Sequence, residues 1–176
     1  FSFPAKLTDC GAHAFDELSY PGDSIKQEYK EDILVGYRWH DTKEIPALFP
    51  FGHGLSYTTF TYGKPVASAK AMAADGTLTV TVAVKNTGSI AGKEIVQLYV
   101  GDDKCSVLRP VKELKHFAKV GLAPGEEKSV TFTLTPDDLK FYDEASAAWK
   151  YEPGKFKAYV CASSADVRGV VSFEMQ

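Results

Sequence analysis

Cysteine is scarce in this chain and poorly arranged for bridging. Cys10, Cys105 and Cys161 are odd in number, far apart and never in a C-x-x-C pair. A disulfide framework or a zinc site is therefore not expected, and free thiols, buried or half-buried, are the reading. The four histidines, at positions 13, 40, 53 and 116, have no metal-ligand spacing either. Positive charge is not in excess: the net charge is −3 and the pI about 5.8. Nucleic acid and anionic membranes are thus excluded as expected partners. No apolar run approaches the roughly 20 residues of a membrane-spanning helix. No leader sequence is visible, but the chain opens on Phe1 rather than Met. The native N-terminus is expected further upstream, and the compartment stays open.

What is present is a change of pattern part-way along. The 176 residues suit one domain plus a piece of another, or one large domain. Residues 1–49 are broken by Pro and Gly and show no clean period. Tyr20-Pro21-Gly22-Asp23 reads as a turn, and Ile33–Tyr37 as a short apolar strand or buried turn. This stretch has too few periodic apolar positions to build a core by itself. From about Tyr57 the period becomes two. Leu78, Val80, Val82 and Val84 alternate with Thr77, Thr79, Thr81 and Ala83, the mark of a half-buried antiparallel strand. Residues 95–100 read as a strand covered on both faces, and further runs at 111–120, 129–134, 156–160 and 171–175 repeat the theme.

The turns have their own chemistry. Asp75-Gly76 predicts a hairpin turn, and Pro124-Gly125 and Pro153-Gly154 both predict type II turns. Thr135-Pro136-Asp137-Asp138 reads as an N-cap, Pro at N1 and acids in a first helical turn. Short strands between such turns indicate a mainly β fold, an immunoglobulin-like β-sandwich.

Between the two patterns lies Pro46–Phe60, PALFPFGHGLSYTTF. Phe49, Phe51, Leu55 and Tyr57 are too apolar to leave together in water, and His53 sits between two glycines. These five residues are expected at an interdomain seam, packed on both sides, with the His53 ring bonded to backbone carbonyls of the connector. Arg38, Trp39, His40 and Asp41 combine a planar cation, an aromatic and a carboxylate. That mix suits the edge of a sugar-binding cleft as well as a seam. Trp149 is read as a sandwich-edge core residue in preference to a sugar platform. The paired acids at 102–103, 126–127 and 137–138 diverge as neighbours in loops and read as solvated charges.

The connector resembles the P-L-F-P-F-G-H-G-L-S-Y-T-x-F junction of glycoside hydrolase family 3, the β-glucosidases and their relatives. Tyr29–Asp41, Phe3-Pro4 with Leu7 and Asp9, and Tyr20-Pro21-Gly22 resemble landmarks that precede that junction. Val84–Gly88, Ala91–Glu94, Val96–Val100, Arg109–Leu114 and Pro124–Glu126 resemble the family's fibronectin type III-like domain. So do Tyr142-Asp143, Trp149 and Ser163-Ser164. Cys161 and His116 stand where the family often has Gly, at positions expected on strand or loop surfaces.

The resemblance implies a division of the chain: 1–55 as the tail of an (α/β)6-sandwich domain with the connector, and 56–176 as a fibronectin type III-like domain. It implies a retaining β-glycosidase parent acting on terminal β-linked glucose or xylose, without metal or other cofactor. Such an enzyme needs two carboxyl groups about 5–5.5 Å apart. No segment here matches either family motif, so no catalytic residue is assigned and the pair is expected upstream. The implied partners are the N-terminal catalytic portion and, through it, a carbohydrate, with homo-oligomers left open. The resemblance also implies an exported parent, periplasmic or extracellular and bacterial in type. The competing reading is a non-catalytic carbohydrate-binding or adhesive β-sandwich, which needs a surface stripe of exposed aromatics. None is expected, since Phe132, Phe156 and Phe173 fall on inward faces.

Overall fold

The computed structural model describes all 176 residues. The first third holds little regular structure: strand β1 (Phe3–Pro4), two 3-10 turns (Leu7–Asp9 and Gly11–His13), helix α1 (Tyr37–Thr42) and strand β2 (Ala47–Phe49), which pairs with β1. Then follow β3 (Phe60–Tyr62), β4 (Val66–Ala67), β5 (Ala71–Met72), β6 (Leu78–Asn86), β7 (Gly92–Asp102), β8 (Glu113–Leu122) and β9 (Glu127–Leu134). After them come α2 (Pro136–Leu139), β10 (Phe141–Asp143), β11 (Ala148–Lys150), β12 (Gly154–Ser163) and β13 (Asp166–Met175). No helix is long and apolar enough to cross a membrane.

Two sheets face each other. One runs β5-β13-β12-β7-β8; in the other β6 is the centre, with β3 and β4 along one side and β9 along the other. The chain changes sheets between β4, antiparallel to β6, and β5, parallel to β13. Alternation decides what is inside. Leu78, Val80, Val82 and Val84 are each at most 1% exposed, and across the gap Leu98, Phe156, Ala158 and Phe173 meet them in one core. On the outer face Thr81 and Thr131 pair at 2.8 Å. Residues Val96–Gly101 of β7 are buried on both faces, as expected for this strand, with Gln97, the polar exception, bonded to Ala162 O and the Tyr99 hydroxyl.

Of the turns, Pro124-Gly125 is as predicted, with Gly125 at φ +76° and Glu126 N–H donating to Ala123 O at 3.0 Å. The capping box at Thr135 and Asp138 is present, with Pro136 opening α2. Two expectations fail. The Ala73–Gly76 turn joins β5 to β6, strands of different sheets, so Asp75-Gly76 closes no hairpin. Gly154 has φ +156°, far from the roughly +80° a type II turn requires, because it already opens β12 against Met175.

Candidate functional site

Helix α1 is where the first third of the chain meets the sandwich. Gly36, at φ +62°, turns the backbone into it, a conformation glycine takes without penalty. The helix is short, so each of its six residues has a definite direction. Tyr37, Arg38, Asp41 and Thr42 face the segment 111–114. The Tyr37 hydroxyl accepts from Leu114 N–H at 2.9 Å and Thr42 Oγ1 accepts from Val111 N–H at 3.0 Å. Asp41 pairs with Lys112 at 2.8 Å, and Arg38 with Glu113 at 3.2 Å. Trp39 and His40 turn the other way. The Trp39 indole donates to Asp9 O at 3.0 Å, and His40 Nδ1 lies 3.0 Å from Ile45 O.

Trp39 is 5% and His40 7% exposed. Buried and engaged in this way, neither can stack on a sugar. For these two residues the cleft-edge expectation is replaced by packing within the junction. Asp41 is likewise taken up by Lys112. Arg38, partly exposed, opens onto one groove, and His40 and Asp41 border a second, smaller cavity beside Lys112 and Ser164.

The charges at this junction form a network. Arg109 donates to Glu113 at 2.8 Å and to Leu139 O at 3.0 Å, and lies 3.6 Å from Asp102; Lys115 also reaches Glu113, at 3.5 Å. Burial alone would raise the Glu113 pKa, but Arg109, Lys115 and Arg38 outweigh it and hold the carboxyl below its ordinary 4.5. At Asp41 the balance is reversed: burial dominates and raises its pKa against the pull of Lys112. A group whose folded pKa is depressed stabilises fully above its unfolded value and ceases to do so as pH falls through the folded one. Scanning calorimetry from about pH 6 to about pH 3 should therefore show the wild-type melting temperature falling more steeply below the glutamate range than that of Glu113→Gln. Parallel curves would remove Glu113 from the acid response.

The connector is tied down on its inner side. Phe51 packs on Tyr37, ring centroids 5.4 Å apart, and its carbonyl accepts from Ser164 N–H at 2.8 Å. Gly52 has φ +82°, which side chains rarely adopt, and a Cβ there would stand 2.2 Å from the Gln97 amide nitrogen and push it from its place. Further on, Thr58 donates to the buried Asn86 at 2.6 Å. The outer side is bare: Leu55 is 94% and Tyr57 98% exposed, and Phe49 and His53 are exposed too. The His53 ring lies 5.3 Å from that of Phe49 and makes no hydrogen bond, contrary to expectation. Of the five connector residues, then, Phe51 alone packs inward against the α1 junction, and Leu55 and Tyr57 are uncovered within this chain.

Four features escaped sequence reasoning. Trp149 is 66% exposed on β11, facing Tyr142 across the β10–β11 hairpin, and is no core residue. Cys161 is a buried free thiol, as the cysteine reading expects, but it lies inside β12 and not on a strand or loop surface, and burial pushes its pKa up to about 12. Asn86, one polar letter in a motif, is the most connected buried side chain of the sandwich. Asp102, Cys105 and Glu152 also converge, although 50 residues separate the first from the last. The chain itself engages each of them: Asp102 Oδ1 accepts from Lys104 N–H at 3.0 Å while its buried Oδ2 has only Arg109 at 3.6 Å, Cys105 donates to Val107 O at 2.7 Å, and Glu152 takes both the Ser106 N–H and hydroxyl.

The profile of the fibronectin type III-like domain matches residues 94–164, the stretch from β7 to the end of β12. Beta-glucosidase BoGH3A of Bacteroides ovatus is 66% identical over 99% of this chain, which spans 23% of that protein. The thermostable beta-glucosidase B of Acetivibrio thermocellus is 49% identical over 94% of the chain, which spans 22% of it. Among solved structures, the GH3 beta-glucosidase of Bifidobacterium adolescentis superposes with a TM-score of 0.88 at 33% identity, over 99% of this chain and 25% of that one. Along nearly its whole length, then, the chain is similar to one segment of glycoside hydrolase family 3 beta-glucosidases. The DesR beta-glucosidase of Streptomyces venezuelae, solved with D-glucose, superposes with a TM-score of 0.90 at 41% identity, again over 99% of this chain but 22% of that one. Against family 3 relatives, then, the chain spans about a quarter of the length or less.

Proposed function

We propose that this chain is the C-terminal structural portion of a retaining family 3 β-glycosidase that hydrolyses terminal β-linked glucose or xylose. In this reading residues 1–55 complete a domain whose larger part is supplied by the rest of the enzyme, and residues 56–176 buttress it. The catalytic carboxylates belong to that remainder. The observation that carries the reading is the distribution of apolar surface. Of 22 buried hydrophobic residues only Leu34 and Trp39 lie before residue 58, whereas 13 of the 24 exposed large hydrophobics do. A stretch with that profile does not bury a core of its own and calls for a covering body. Leu55 and Tyr57, almost fully exposed on a connector fixed on its inner face, are the anchors it would cover.

The names of the relatives support the reaction, and the α1 junction supports the buttressing role. Two measurements test the reading. The 176-residue chain alone should not turn over an aryl β-glucoside, while the longer enzyme containing it should. In that longer enzyme Tyr57→Asp should lower the melting temperature and the activity together, since it places a charge in a covered contact. Turnover by the isolated chain, or an indifferent Tyr57→Asp enzyme, would overturn it.

A further inference from the structure

The hairpin formed by β10 and β11 leaves the sandwich beside α2 and carries Tyr142 and Trp149 directly opposite each other. Both are exposed, at 52% and 66%, with ring centroids 5.7 Å apart and planes inclined at 72°. As a cross-strand edge-to-face pair they stabilise the hairpin, yet both side chains remain more than half exposed. They form one wall of a groove of about 690 Å³, within the ~300–1,000 Å³ of small-ligand sites. Ile33 and Leu108 also line it, and Arg38 joins from α1.

The lining selects a class of ligand. Its charged side chains are four acidic and four basic, so the groove has no net charge to attract an ion. Most of these charges are already paired, Arg109 with Glu113, Lys140 with Asp137 and Asp143 with Lys150. Paired ions keep spare lone pairs and N–H groups at the rim, which suits hydroxyls better than charges. Two amphipathic rings steeply inclined to each other cannot lie under one flat surface, but each can take a separate apolar face. A neutral molecule with apolar faces, a hydroxyl-rich edge and successive non-coplanar rings is an oligosaccharide. We propose that this groove binds a neutral oligosaccharide, with Trp149 and Tyr142 each stacking on one sugar ring. The site does not depend on the enzymatic reading and would add a sugar contact outside any catalytic carboxylate pair.

The chain offers its own probe, because its tryptophans differ: Trp39 is 5% exposed and Trp149 66%. Cellohexaose or maltohexaose added to the 176-residue chain should saturably shift the Trp149 emission and shield it from acrylamide, with Trp39 unchanged. Trp149→Ala and Tyr142→Ala, read by amide shifts in NMR, should each weaken binding about tenfold. Trp149→Phe should retain most of it, and an unchanged circular dichroism spectrum shows the fold is kept. No saturable change with either hexasaccharide up to about 10 mM would overturn the proposal, as would undiminished binding by both alanine variants.

Discussion

Replacing Asn86 with leucine should lower the stability of the sandwich by roughly 3–5 kcal/mol, more than a typical substitution does. The residue is wholly buried at the end of β6, where the connector, the β6–β7 loop and the end of β8 come together. Its Oδ1 accepts from the Thr58 hydroxyl at 2.6 Å and from Gly88 N–H at 3.0 Å. Its Nδ2 donates to Ile90 O at 2.8 Å and Leu122 O at 3.1 Å. All four capacities of the amide are used. Leucine removes every one of these bonds and leaves two carbonyls, an N–H and a hydroxyl facing an apolar side chain. Each buried polar group without a partner costs about 1–3 kcal/mol, and groups sharing one site add less than fully. Asn86→Asp should be nearly as damaging, because a carboxylate in place of the NH2 opposes both carbonyls. Urea denaturation measures this: the midpoint should fall with an unchanged slope. A loss below about 1 kcal/mol for both variants would mean that water replaces the amide and that the three segments do not depend on it.

How far the sequence discloses such features depends on the kind of signal. The strands of the sandwich were legible because alternation is a local property: Leu78, Val80, Val82 and Val84 announce their inward face without help from any partner. The capping box at Thr135 and Asp138 is likewise complete within four residues. Asp75-Gly76 misled because its two letters say that the chain turns, not whether the next strand joins the same sheet. That is decided by the pairing of β5 with β13, about a hundred residues away. Trp149 misled for a related reason. A tryptophan near a turn is usually core, and its exposure follows from a hairpin that projects from the sandwich. At the junction the composition of Arg38–Asp41 admitted a cleft edge beside the favoured seam. Only the partners, Asp9 for Trp39 and Lys112 for Asp41, separate the two, and both are far off in sequence.

Lys112→Ala should loosen the first third of the chain from the sandwich at a cost of about 1–3 kcal/mol, since it leaves a half-buried carboxylate without its cation. Lys112 is 7% exposed; its ammonium lies 2.8 Å from Asp41 Oδ2 and 5.7 Å from the centre of the Tyr99 ring. The pair is not expected to be strongly stabilising in itself, because desolvation offsets much of the attraction. Replacing both partners, as in Asp41→Leu with Lys112→Met, should therefore recover most of the loss, and a double-mutant cycle isolates the coupling. Hydrogen exchange locates the damage: in Lys112→Ala, protection should drop in α1 while β6, Leu78–Asn86, keeps it. The pH dependence gives the sign. Burial already raises the Asp41 pKa, and loss of Lys112 raises it further, so the variant gains relative stability as Asp41 takes up a proton. The gap between variant and wild type should thus narrow as pH falls through that raised value. A gap independent of pH would assign the cost to lost packing against Tyr99 instead of to the stranded charge.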